Sequence, residues 1–140
     1  NNIINLIGDL KLNDNIILHG ELNQVEVSNL LKKSKIYVSL NMIEGLSASL
    51  IEAMACGCGP IVADIPGNSI IDNKLNGFRV DVDDAKQISY IMNEILMDDT
   101  KRLKIIAENK KIVRKQFDSK KNLKIFADKY EKLIDKYRNA

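Results

Sequence analysis

Ile36-Tyr37-Val38-Ser39-Leu40, then Glu44-Gly45-Leu46-Ser47-Ala48-Ser49-Leu50-Ile51-Glu52, then Ala53-Met54-Ala55-Cys56-Gly57. An apolar run, a loop holding one glycine and an apolar stretch ended by another predict strand, tight loop and buried helix. That junction leaves backbone N–H groups free at the helix start. They face the crevice beyond the strand's carboxyl end, where phosphate-bearing ligands bind in open α/β sheets. Glu44 and Glu52 bracket the spot. At ~100° per residue, Glu52 returns to within roughly 80° of the face of Glu44, about two turns deeper. Burial at that depth demands a hydrogen-bonded partner, and the two hydroxyls of a ribose supply one. Both carboxylates are thus expected at one cleft, beside a ligand with phosphates and hydroxyls such as a nucleotide sugar.

Outward from this junction the pattern alternates. Residues 2–10 read as a helix and Asn13-Asp14-Asn15 as a turn. Ile16-Ile17-Leu18 reads as a short strand ended by Gly20, and 24–33 as a helix with Val27, Leu30 and Leu31 inward. After helix 47–56, Gly57 is placed to adopt a left-handed end. Pro60-Ile61-Val62-Ala63 is a third strand and Asp64–Asn68 a loop. A brief helical turn is expected over Ser69–Asp72. Asn76-Gly77 is a turn, and Phe78-Arg79-Val80 a fourth strand. Helix 84–97 is expected to bury Ala85, Ile88, Ile91, Met92, Ile95 and Leu96; helix 100–115 to bury Leu103, Ile106 and Ile112 or Val113. Asp118 or Ser119 then caps a last helix, 119–138, with one apolar stripe through Leu123, Phe126, Ala127, Tyr130, Leu133, Ile134 and Tyr137. Short strands alternating with helices predict an α/β, Rossmann-like parallel sheet with helices on both faces. Four strands are few for such a sheet, so a strand–helix unit is expected before residue 1. The opening, Asn1 to Gly8, has no initiator Met and reads as the interior of a longer protein.

The composition suits one globular domain: 140 residues, 45% hydrophobic and 29% charged, enough to bury a core. No apolar run is long enough to cross a bilayer. The small net charge hides an asymmetry. Residues 1–100 carry 7 Lys+Arg against 14 Asp+Glu, and residues 101–140 carry 14 against 5. The acidic body thus ends in a basic helical region suited to anionic headgroups or an acidic partner surface, the plainer alternative being a solvated helix face. Few aromatics interleave with the basic residues, which argues against nucleic acid. Cys56 and Cys58 are too close for an unstrained disulfide, and His19 is distant, so buried free thiols are expected and no metal.

The ordered series from Glu44 to Asn68 resembles the Glu-seven-residues-Glu signature of retaining glycosyltransferases of the glycosyl transferases group 1 family, also called family four. These enzymes have two facing Rossmann-like domains, the GT-B fold. Ile16–Gly20 looks like the family's strand ending in glycine, and Ser34–Val38 like the next strand. Pro60-Ile61-Val62-Ala63-Asp64-Ile65-Pro66-Gly67-Asn68 is similar to the loop lining the sugar pocket, and Asn76-Gly77-Phe78 to a late turn. The resemblance covers nearly the whole chain. It implies the C-terminal, donor-binding half, with residues 1–118 as the nucleotide-sugar-binding domain, lacking its first strand–helix unit. Residues 119–140 would be a basic amphipathic helix that packs on this domain or crosses to a missing N-terminal acceptor domain.

The resemblance also implies roles. Glu44, the catalytic candidate, would bind donor-sugar hydroxyls. Gly45, Leu46 and Ser47 would offer backbone N–H groups to the sugar and diphosphate, and Glu52 would bind the ribose. The reaction implied is transfer from a nucleotide-diphosphate sugar to a glycan or lipid-linked acceptor, with retention and no cofactor or metal. The expected location is the cytoplasm or, through the basic helix, the inner face of its membrane. Three positions depart from the pattern. Leu40-Asn41 stands for the usual Pro-Ser, Ile70 for a glutamate, and Cys58-Gly59 adds one residue before Pro60. The usual Arg/Lys pair for the diphosphate would lie upstream of Asn1. Two alternatives stand beside the enzyme: a separate donor-binding subunit, and a non-enzymatic α/β domain in which Glu44 and Glu52 are ordinary helix residues. His19 is expected to be structural or solvated rather than a contact to the base.

Overall fold

Gly59-Pro60-Ile61-Val62-Ala63 is buried at every position, as a central strand covered on both faces must be. The computed structural model of the chain describes residues 2–138. In order they form α1 (Asn2–Asp9), α2 (Gln24–Lys33), β1 (Ile36–Ser39), α3 (Ala48–Cys56), β2 (Gly59–Ala63), a 3-10 turn (Pro66–Asn68), β3 (Phe78–Val80), α4 (Ala85–Met97), α5 (Asp99–Gln116) and α6 (Ser119–Arg138). The strands pair in parallel in the order β1-β2-β3. Ile36 lies opposite Gly59, and Ile61 opposite Phe78.

Successive strand residues point to opposite faces, so β2 feeds two cores. Ile61 joins Phe78, Val80, Ile91, Ile95 and Ile105. Val62 joins Leu50, Met54 and Ile71. Helix α4 therefore covers one face and α3 the other. Helix α5 spans both, with Ile105 in the first cluster and Ile112 and Val113 against the second. Each fully buried aliphatic here contributes about 1.5–3 kcal/mol by leaving water.

Local chemistry fixes the helix ends. Asn23 Oδ1 accepts from the Val25 and Glu26 N–H groups at 3.0 Å, and Glu26 accepts from the Asn23 N–H at 2.8 Å. This reciprocal box sets the start of α2. Asp84, Asp98 and Asp118 accept from the N–H groups of Gln87, Lys101 and Lys121, so the last helix takes its cap from Asp118. Gly57, at φ +94°, closes α3 in the left-handed conformation that its sequence position predicts.

Four expectations are corrected. Ile16–Leu18 is not a strand: it joins no ladder among the described residues, and Ile17 stays 75% exposed. Three apolar residues suit a strand, but without a neighbour to bond they cannot form a sheet. The helical turn falls on Pro66–Asn68 rather than Ser69–Asp72, because Pro66 pre-sets the first helical φ. Ala85, Leu96 and Leu103 face solvent, as does Leu30, whereas Ile105 is buried. The inward face of α5 runs Ile105, Asn109, Ile112, and the polar Asn109 in its middle hid the period. The stripe of α6 is not core: Leu123, Phe126, Tyr130, Leu133, Ile134 and Tyr137 are all exposed. Periodicity identifies an apolar face but not what covers it.

Candidate functional site at the start of helix α3

Ser47 occupies the N-cap position of α3 with extended backbone, yet its side chain makes no capping hydrogen bond. Its hydroxyl is engaged elsewhere. Ser47 Oγ and Ser49 Oγ lie 2.8 Å apart, and the Tyr37 hydroxyl is 2.8 Å from Ser49 Oγ. This relay ties β1 to the first turn of α3. It also leaves the first-turn amides without a side-chain acceptor; the first helical bond runs from Ile51 N–H to Ser47 O, at 3.2 Å. Such uncapped amides, carrying the positive end of the helix dipole at the carboxyl end of a parallel strand, suit an anion.

Glu44 is half-buried in the loop before α3. Its backbone abuts the 3-10 turn after β2. A Cβ on Gly67 would overlap the Glu44 carbonyl oxygen and stand 2.8 Å from that of Gly45, so only glycine fits. Asn68, buried, anchors that turn by donating from Nδ2 to Ala63 O at 2.9 Å. Asn76 locks the following loop, donating to Ile70 O and accepting from the Asp72 N–H. A Cβ at Gly45 would meet no atom within 4 Å, and Leu46 is exposed. The backbone at Gly45-Leu46 is thus free to meet a ligand.

Glu52 lies elsewhere on α3. The buried face of the helix is Leu50, Ala53 and Met54, which turns Glu52 outward; it is exposed rather than buried. It lines a cavity of about 160 Å³ with Gln24, Ser28, Leu31, Ala55 and Cys56, between α2 and α3. The structure therefore brings Glu44 and Gly45 to the Pro66–Asn68 turn and Glu52 to α2, with the first turn of α3 between them. Exposure removes the need for a protein partner for Glu52. A second cavity, about 520 Å³, opens between the two loops and the C-terminal end of α5 and is lined by Leu46, Pro66, Gly67, Ser69, Ile70, Ile112, Gln116 and Phe117.

The sequence places Tyr37 only in a strand and Asn68 only at the end of the stretch that resembles the pocket loop, because each acts through a hydrogen bond that no local pattern announces. The thiols are free. Cys58 is buried, with its thiol 3.3 Å from Leu31 O and 3.5 Å from Ser34 O. Burial, and secondarily Cys56, push its pKa up to about 11. Among the described residues, no three His, Cys, Asp or Glu side chains meet as a metal site. His19 is exposed beside Gly20. No helix among the described residues is long and apolar enough to cross a membrane.

A three-layer α/β unit with an open helix N-terminus beyond its parallel strands defines a Rossmann-like class. Comparison with known proteins narrows it. Residues 1–112 match the family model of glycosyl transferases group 1, and the chain belongs to that family. It is 31% identical over 102 residues to the UDP-Gal:alpha-D-GlcNAc-diphosphoundecaprenol alpha-1,3-galactosyltransferase of Escherichia coli, covering 72% of this chain and 25% of that one. It is 31% identical over 112 residues to the N,N'-diacetylbacillosaminyl-diphospho-undecaprenol alpha-1,3-N-acetylgalactosaminyltransferase of Campylobacter jejuni, covering 79% and 28%. The chain thus spans a quarter to a third of the curated relatives it matches. Two crystal structures share the fold. One is the C-terminal domain of the group 1 protein LpcC from Francisella tularensis (TM-score 0.74, 24% identity, 83% of this chain and 60% of that one). The other is Anabaena Alr3699/HepE in complex with UDP-glucose (TM-score 0.84, 19% identity, 94% and 36%). The fold is that of the C-terminal half of a GT-B glycosyltransferase.

Proposed function

We propose that the chain is the donor-binding part of a retaining glycosyltransferase that moves a sugar from a nucleotide diphosphate to a lipid-linked or glycan acceptor. The observation that carries this reading is the uncapped first turn of α3, set between Glu44 and Glu52 at the carboxyl end of the sheet. The amides there receive the diphosphate. Glu44, held in place by the Gly67 contact, accepts from donor-sugar hydroxyls and orients the anomeric carbon. Gly45 and Leu46 offer backbone. Glu52, facing the α2–α3 groove, accepts from the ribose hydroxyls. The departing diphosphate takes the acceptor proton on the face it leaves, and the protein accelerates the step by positioning and by stabilising phosphate charge. Both named relatives act on diphosphoundecaprenol-linked acceptors, which supports an acceptor of that kind. In this reading the exposed stripe of α6 meets the acceptor domain of a longer protein, and its lysines lie toward an anionic membrane face. No metal or further cofactor is assigned.

Titration calorimetry with nucleoside diphosphates and their sugars tests the reading. Glu52→Ala should weaken every nucleotide about 10- to 100-fold, the scale of a lost charge-assisted hydrogen bond. Glu44→Ala should weaken intact nucleotide sugars and spare bare diphosphates. A folded chain that binds no nucleoside diphosphate overturns the proposal and favours a structural role.

A further inference from the structure

The larger cavity beside the anion site is unusual in what its walls lack. Of its eight lining residues none is ionisable. Leu46, Pro66, Ile70, Ile112 and Phe117 are apolar, and Ser69 and Gln116 are the polar side chains. Its position follows from the loops that form it. Leu46 directly precedes the cap of α3, and Gly67 is seated against the Glu44 and Gly45 carbonyls. A group joined to a diphosphate at the α3 amides, and reached by Glu44, lies beside this space, with Leu46 and Gly67 at the boundary. About 520 Å³ is ample for one sugar ring with a substituent.

The walls discriminate among substituents. A plain hexose presents hydroxyls on most of its edge, and a hydroxyl set against the side chain of Leu46, Ile70, Ile112 or Phe117 gains no hydrogen-bond partner from it. An acetamido group differs. Its methyl suits an apolar wall, and its N–H and C=O require one acceptor and one donor. Gln116 carries both an amide C=O and an NH₂, and the Ser69 hydroxyl can act either way. A 6-deoxy sugar would supply the methyl but leave the polar pair unused. Resting on the donor-binding reading above, we propose that this cavity selects a donor sugar carrying an acetamido substituent. Ile70 and Gln116 are the residues that set the selection.

The test is titration calorimetry of this chain with bare UDP, UDP-glucose, UDP-galactose and their 2-acetamido counterparts, alongside dTDP-glucose and dTDP-rhamnose. The expected result is at least one acetamido sugar bound about tenfold or more tighter than the plain hexose on the same base. Gln116→Ala, at a solvent-exposed position, should reduce that preference, and Ile70→Glu should abolish it, with bare UDP bound as before. Equal affinities for plain and acetamido sugars, a preference confined to the deoxy sugar, or a preference untouched by both substitutions overturns the proposal while the donor-binding reading survives. Failure of a folded chain to bind any nucleoside diphosphate or nucleotide sugar, with GDP and ADP added to the panel, overturns both.

Discussion

A methyl group on Gly67 would overlap the Glu44 carbonyl oxygen, so Gly67→Ala must separate the two loops that form the site. The substitution should lower stability by about 1–3 kcal/mol in urea unfolding, the range for forced overpacking. It should also cost nucleotide-sugar affinity more than bare diphosphate affinity, because Glu44 moves while the α3 amides stay. Unchanged binding of the intact donor would show that this backbone contact does not position Glu44. Cys58 carries a different consequence. Its pKa is raised from 9.0 to about 11, so the folded state holds its proton more firmly than the unfolded state. The stabilisation is complete below pH 9 and is lost as pH rises toward 11, because the unfolded chain ionises first. Stability curves of wild type and Cys58→Ala should therefore converge across that interval. At pH 8 an alkylating agent should label Cys56 well before Cys58, and equal labelling rates of the folded chain would contradict the burial argument.

Helices α2, α3 and α6 owe their order to different forces. The start of α2 rests on the Asn23–Glu26 box, so Asn23→Ala should cost about 0.5–2 kcal/mol. Helix α3 is held by burial: Leu50 and Met54 are wholly inside, and Leu50→Ala should cost about 2–5 kcal/mol. Helix α6 has no such anchor. Leu133 is 52% exposed, and Leu133→Ala should change the stability of this chain by less than about 0.5 kcal/mol. Denaturant midpoints of the three variants check the ranking. A large loss at Leu133 would mean that α6 packs on the domain in solution. Elements were the most legible level of the sequence, since caps and periodic apolar positions lie within a few residues of one another. The exceptions depend on what lies across the fold. Ile16–Leu18 has strand composition without a strand to pair with, and Asn109 interrupts the apolar face of α5 while fully buried.

At the scale of the whole molecule, two covered sheet faces contrast with an uncovered α6 and exposed Ile3, Ile4, Leu6, Ile17 and Leu18. Scattered singly such residues are ordinary, but a continuous stripe along a 20-residue helix is of the kind that suits a docking surface, as the proposed reading of α6 requires. Together with a span of a quarter to a third of its relatives, this predicts division of labour. The 140-residue chain should bind donor yet transfer no sugar to a diphosphate-linked lipid. A protein that also supplies an acceptor domain should transfer it, equally well with EDTA present. Radiolabel transfer measures both, and turnover by the isolated chain would place the acceptor site within these residues.

Sequence alone determined the strand–loop–helix junction at 36–57, the left-handed close at Gly57 and the presence of both glutamates, because each depends on neighbours along the chain. Tertiary structure decided the rest. It turned Glu52 outward, since the face of α3 that meets the sheet is chosen by packing. It pressed Gly67 onto Glu44, and it linked Tyr37 to Ser49 so that the α3 amides stayed open. Those contacts join residues 12 to 23 positions apart, and only the fold brings such distant groups within reach of one another.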